Sequence, residues 1–343
     1  MADTKKEHYV PQCYLKNFVN ENERIAVFDK LSSQVRYQKT TDIAMENYFY
    51  DIDFNRLMDK LSFISKCRTK AYIRKITGIR DWKSIRETVL NKKYIEKQFF
   101  SNLENSYSQL LKTLISKSYG GNSWVINNCF SMSIEEKKRL AEYIAIQIIK
   151  TKTIREEIGQ MIEKMHQAIA YKSQAKNSDA SPKELFEVQA DKDYVKLQHS
   201  AMILDPKMLM DIAECLNNHI WIMYINKTYT PFYTSDNPVA KIPHKFSKYI
   251  SYNGFNSEGI EVLFPISPTL LLAMYERKSF ENIYIDRTFL NITETEHVDY
   301  FNRAQLVSSF RCVYSKEENF ELAKTLCKQY PELTSNDNLI TVG

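Results

Sequence analysis

The spacing of apolar positions changes twice along the chain. Residues 24–29 and 35–38 are short runs rich in β-branched and aromatic side chains on either side of a polar turn, and they predict a β-hairpin. Residues 47–51 predict a third strand. From Asn55 the period becomes 3.6, with Leu57, Leu61, Ile64 and Cys67 on one face. A second helical run carries Tyr94, Phe99, Leu103, Leu110, Leu111 and Leu114 and stops at Gly120-Gly121. Ser133-Ile134-Glu135-Glu136 reads as a capping box that opens a helix to about Lys176. A helix of that length would span roughly 60 Å at 1.5 Å per residue, with Gly159 as the expected place for a break.

Beyond a loop at residues 177–180, Ser181-Pro182-Lys183-Glu184 caps another helix, and residues 206–217 form one more. The strand pattern then returns at 219–225, 232–234, 260–264 and 270–275. Thr293-Glu294-Thr295-Glu296 starts a helix that runs to about Phe310, followed by a strand at 312–314 and a last helix. Strands at both ends and helices between them predict an α+β fold. Its mixed or antiparallel sheet is built from both chain ends, 1–54 with 218–343, around an all-helical insertion over 55–217.

Composition narrows this picture only a little. The 343 residues, 43% hydrophobic and 26% charged, are ample for a core and ordinary for a globular chain. Six cysteines without a Cys-x-x-Cys pair suggest neither a disulfide framework nor a zinc knuckle, and favour a reducing cytoplasm. The polar start at residues 1–7 does not read as a signal peptide, and the apolar runs are too short to span a membrane, so no membrane partner is expected.

Charge is more telling. Residues 60–97 hold twelve Lys and Arg against three Asp and Glu, although the whole chain carries only +5. Arg68, Lys70, Arg74, Lys75, Lys92 and Lys93 lie in this stretch, with Trp82 among them as a surface on which a base could stack. A solvated helix face is the ordinary reading of such a run. The imbalance nevertheless makes nucleic acid a candidate partner.

The most specific string is His8-Tyr9-Val10-Pro11-Gln12-Cys13-Tyr14-Leu15-Lys16-Asn17-Phe18. Pro11 can open a helix whose Tyr14, Leu15 and Phe18 bury one face, leaving His8 and Gln12 at its polar start, a place that favours anions. His8 could serve as a general base and Gln12 could orient a water. The bland alternative is that both pin the N-terminus. Tyr233-Thr234-Ser235-Asp236-Asn237-Pro238-Val239 follows a strand; Asp236 could bind a divalent cation, Mg²⁺ or Mn²⁺, or hold His8 in one tautomer, with Asn237 beside it. Asp and Asn before Pro also form Asx-turns with no catalytic purpose. Gln147, Lys150 and Arg155 on the long helix could offer an amide and two cations to a phosphate. In Phe264-Pro265-Ile266-Ser267-Pro268 the prolines end strand pairing and shape a turn.

Together these segments resemble an uncharacterised, largely bacterial family, domain of unknown function 4238. The resemblance rests on the His8–Phe18 string, on Thr234-Ser235-Asp236-Asn237-Pro238 and on Phe264–Pro268. It extends to Gln147-Ile148-Ile149-Lys150-Thr151 with Arg155, and to Asn302 ahead of Arg311-Cys312-Val313-Tyr314-Ser315. It implies a fold and a site rather than a reaction. Lys150 stands where an arginine is common in the family it resembles, and Glu7 stands where that family often carries a second His, which argues against a two-His metal site.

Two functions compete on these grounds. The first is a metal-dependent nuclease in bacterial conflict such as phage defence, with His8, Gln12, Asp236 and Asn237 catalytic, Asp236 on the metal, and Gln147, Lys150 and Arg155 on the phosphate. The second is a non-enzymatic module that senses a nucleotide or a protein partner through the same pocket and forms a homo-oligomer through its long helices. A nucleotide-dependent transferase would use the same polar groups. The nuclease reading requires His8 and Asp236 to meet.

Overall fold

The computed structural model describes residues 6–60, 62–87, 101–119, 130–174 and 189–335. A short ribbon pairs β1 (Lys6–His8) antiparallel with β4 (Met45–Asn47), and between them lie α1 (Gln12–Leu15), β2 (Ile25–Asp29) and β3 (Gln34–Gln38). The helices of the middle are α2 (Phe54–Lys60), α3 (Phe63–Thr77), α4 (Trp82–Glu87), α5 (Ser101–Tyr119), α6 (Ile134–Ile149), α7 (Lys152–Gln174), α8 (Lys192–Ile203) and α9 (Pro206–Asn217). Strands β5 (Ile220–Asn226), β6 (Thr234–Ser235), β7 (Ala240–Pro243), β8 (Ile260–Ser267) and β9 (Leu270–Tyr275) follow. The chain ends with α10 (Arg277–Phe280), β10 (Thr288–Ile292), α11 (Thr295–Ser308), β11 (Cys312–Ser315) and α12 (Glu321–Gln329).

The fold is α+β. An antiparallel four-stranded sheet in the order β3-β2-β11-β6 joins the two chain ends, and a mixed five-stranded sheet runs β10-β5-β9-β8-β7 with only β10 parallel to its neighbour. Strands β8 and β9 are buried along their whole length because both faces of this sheet are covered. Alternate residues turn to opposite sides, as the period of two requires. Trp221, Met223, Val262, Phe264, Leu272 and Met274 enter the largest apolar cluster, whereas Ile220, Ile222, Leu263, Leu271 and Ala273 enter a second one beneath α11. Helices α5 and α6 close the first face with Leu110, Leu111, Leu114, Leu140, Ile144 and Ile148. Those helices therefore share one core with the sheet.

The capping box forms as expected: the Ser133 hydroxyl accepts from Glu136 N, and the Glu136 carboxylate accepts from Ser133 N. The long helix breaks at Lys150–Thr151 instead of Gly159. There the Thr151 hydroxyl donates to Ile148 O at 3.1 Å, competing with the helical ladder, as Ser and Thr do at helix ends. Gly159 stays helical, and a Cβ on it would meet Val195 of α8 at 3.8 Å. Residues 48–51 do not form the expected strand; the strand lies earlier, at β4, where it pairs with Lys6, Glu7 and His8. Tyr94, Phe99, Gly120-Gly121 and the cap at 181–184 lie outside the described residues. Among the described residues no helix is long and apolar enough to cross a membrane.

Candidate functional site

Tyr14 is the residue on which three of the sequence motifs converge. It is fully buried, stacks on Phe264 with ring centroids 5.1 Å apart, donates to Pro265 O at 2.7 Å, and lies 2.7 Å from Thr234 Oγ1. Burial drives its hydroxyl far above the usual phenol range, so it remains a donor. This anchor fixes α1, a single turn preceded by extended Pro11. A helix this short has little dipole to offer an anion. The polar start of α1 must act through its side chains.

Across extended Pro11, Gln12 Nε2 at the start of α1 and His8 Nδ1 at the end of β1 lie 3.4 Å from each other. His8 Nε2 is buried and has no hydrogen-bond partner among the described residues. Burial first, and Lys150 second, lower the imidazole pKa to about 4, so it is neutral at pH 7. The end of α6 comes to the same place. Gln147 Nε2 donates to Tyr9 O at 3.2 Å while its Oε1 has no partner among the described residues, and Lys150 is 1% exposed. The Tyr50 hydroxyl, 3.5 Å from both His8 O and Lys150 O, bridges the two segments, and Tyr50 N donates to the Glu7 carboxylate at 2.6 Å. Gln147 and Lys150 line a recess of about 20 Å³ together with Pro11, Leu103, Glu104, Tyr107, Tyr143 and Ile146. The Tyr107 hydroxyl is buried and has no partner among the described residues.

Behind this recess, Arg155 lies flat on Phe49, with its guanidinium carbon 3.4 Å from the ring centroid. It donates to Phe49 O and to Nδ1 of His199, whose Nε2 lies 2.7 Å from Ile149 O. Nδ1 can accept from an arginine only when neutral. Burial, with Arg155 adding to it, lowers the His199 pKa to about 3, and burial brings Arg155 down to about 10.

Asp236 occupies a different place. Its carboxylate, 2% exposed, accepts the backbone N–H groups of Phe310, Arg311 and Cys312, each at 2.8 Å. Burial pushes its pKa up, and the three amides together with Lys30 pull against that. Asn237 Nδ2 donates to Ser308 O at 2.9 Å. Along one face of α11, Asn302 accepts from Tyr233 N, Gln305 donates to Pro238 O, and Ser308 takes Asn237, at a spacing of three. The Thr-Ser-Asp-Asn-Pro segment is thus laced to α11 and to the start of β11. Among the described residues no hydrogen bond or ion pair joins His8 to Asp236, and no cluster of three His, Cys, Asp or Glu could hold a metal.

The structure therefore brings His8, Gln12, Gln147 and Lys150 together, places Arg155 behind them, and gives Asp236 and Asn237 to a separate polar network. The family model whose description reads protein of unknown function, DUF4238, matches residues 6–319, a span that includes every one of these segments. The chain belongs to that family. No curated protein and no solved structure matches it.

In this DUF4238 chain the basic stretch is partly spent on internal pairs. Lys60 lies 2.5 Å from Asp191, and Arg74 Nε donates to Arg80 O at 3.1 Å. Trp82 packs on Phe54, and Lys70 Nζ sits 5.3 Å from its ring centroid, so that face is covered. Arg68, Arg74 and Lys75 are exposed; Lys92 and Lys93 lie outside the described residues. Reading the sequence missed Glu7, Tyr50 and His199 as members of the buried cluster. For His199 one signal existed: it lies four residues after Val195, on the buried face of α8.

Proposed function

We propose that the chain is a binding module for a phosphate-bearing, nucleotide-class ligand, held by an end group that enters the recess above Gln147 and Lys150. The observation that carries this reading is Lys150, 1% exposed, which with the Gln147 amide and Glu104 lines a recess that holds one water-sized group, while the neutral His8 imidazole acts on Lys150 from outside that lining. Lysine is a common phosphate binder, and a charge-assisted bond in a desolvated place is stronger than one at the surface. A recess this narrow admits a single oxygen of a terminal phosphate and excludes the backbone of a threaded polymer. His8, which does not line the recess, would act on the ligand through the neighbouring Lys150.

Calorimetric titration with inorganic phosphate, AMP, ATP, and 5′-phosphorylated and unphosphorylated oligonucleotides tests this. The expected result is binding that requires the phosphate and weakens about tenfold or more in folded Gln147→Ala and His8→Ala variants. Binding indifferent to the phosphate or to both substitutions would sink the reading.

A nuclease is the second reading, favoured by the neutral imidazole, which has the protonation state of a general base, and by exposed Arg68, Arg74 and Lys75 as phosphate contacts. The Mg²⁺ or Mn²⁺ it calls for does not fit Asp236, whose oxygens face three N–H donors. Incubation of RNA and of single-stranded and duplex DNA with and without these ions decides it. Cleavage lost in His8→Ala supports the nuclease, and its absence leaves the binding module.

A further inference from the structure

The Phe264–Pro268 motif has a second side that the phosphate site does not use. Phe264 and Pro265 hold Tyr14, whereas Ser267 and Pro268 line a separate cleft of about 330 Å³, a volume in the range of small-molecule sites. This cleft lies where the end of β5 and the β8–β9 hairpin turn meet the turn after α1, the end of α5 and the segment after β11. Its lining is mostly hydroxyl and amide. Tyr119 OH lies 3.2 Å from Thr269 Oγ1, which in turn lies 3.3 Å from Ser267 Oγ, so three hydroxyls form a chain that can donate or accept at either end.

Two asparagines border the cleft, and they differ. Asn226 is spent on its own loop: Nδ2 donates to Thr230 O at 2.7 Å, and Oδ1 accepts from Thr228 N and Thr228 Oγ1 at 2.8 Å. That loop holds Tyr229 fully outward at the rim. Asn17 Nδ2, by contrast, is buried with no partner among the described residues, a donor in want of an acceptor. The charged liners are Lys316 and Glu317, adjacent, exposed and opposite in sign, so the cleft selects for neither charge.

We infer that this cleft binds a neutral polyhydroxylated ring, either a saccharide or the sugar of a nucleoside. Such a ring matches the hydroxyl chain with donors and acceptors at once and lays an apolar C–H face on Tyr229. The inference is independent of the phosphate reading, because the two sites share no lining residue.

Saturation-transfer NMR on the full chain with glucose, N-acetylglucosamine, maltotriose and adenosine tests it. Saturation is expected at sugar-ring protons, with affinity about tenfold lower in Tyr229→Ala and in Thr269→Val, both read on folded protein. Tyr229 is fully exposed and Thr269→Val keeps the shape, so neither change should unfold the chain. A response to the saccharides assigns the saccharide, and a response to adenosine alone assigns the nucleoside. No saturation from any of the four probes, or binding unaltered in both variants, overturns the inference.

Discussion

Asp236 receives the backbone N–H of Arg311 at 2.8 Å, and the same carboxylate takes the amides of Phe310 and Cys312 on either side. A carboxylate so enclosed holds the junction of α11 and β11 to β6. Replacing it with alanine leaves three N–H groups without their acceptor in a place water does not reach. Asp236→Ala should therefore destabilise the protein by about 3 kcal/mol or more, since each orphaned buried donor costs roughly 1–3 kcal/mol. Urea denaturation measures this. A catalytic or metal-binding Asp236 predicts the reverse, lost activity at unchanged stability.

Arg155→Lys should behave as a disruptive change and not a mild one. Lysine keeps the charge but cannot lie flat on Phe49 while donating to both Phe49 O and His199 Nδ1. A loss of about 2 kcal/mol is expected from a broken buried hydrogen-bond network and the lost stacking, read as a drop in Tm. An unchanged Tm would mean that the Arg155–His199 pair contributes nothing to the fold.

Acid should weaken the fold through two imidazoles. His8 and His199 titrate at about 4 and about 3 in the folded chain, against 6.5 for an ordinary histidine. The unfolded chain therefore takes up their protons first. Their contribution is complete above pH 6.5 and is lost as pH falls toward 4 and then 3, by about 1.4 kcal/mol per pH unit for each. Denaturation midpoints across pH 4–7 should show this slope, and His8→Ala should remove part of it.

His244 should act in the opposite direction. The Glu261 carboxylate, 2.8 Å from His244 Nε2 and also bonded by the Tyr300 hydroxyl, holds the imidazole above its usual range. Its contribution is full below pH 6.5 and disappears as pH rises through the raised folded value. His244→Gln should flatten stability on that alkaline side while leaving the acid slope in place. Histidine signals followed by NMR across pH 5–9 check the direction directly.

The sequence by itself determined what depends on neighbours along the chain. Period two in β5, β8 and β9 and period 3.6 in α5 and α6 predicted the α+β class, because alternation and helical spacing are local consequences of backbone geometry. Ser133 with Glu136 was readable for the same reason: the whole capping box lies within four residues. The His8 string and the two proline motifs marked the segments that meet at Tyr14. Tertiary structure alone decided the rest. It put Lys150, at an unforeseen break beside Thr151, next to His8 across more than 140 residues of chain. It gave Asp236 to three backbone amides rather than to that imidazole, and it set His199 under Arg155. Each of these depends on which buried donor finds which acceptor once the core has closed, and local spacing carries no record of that choice.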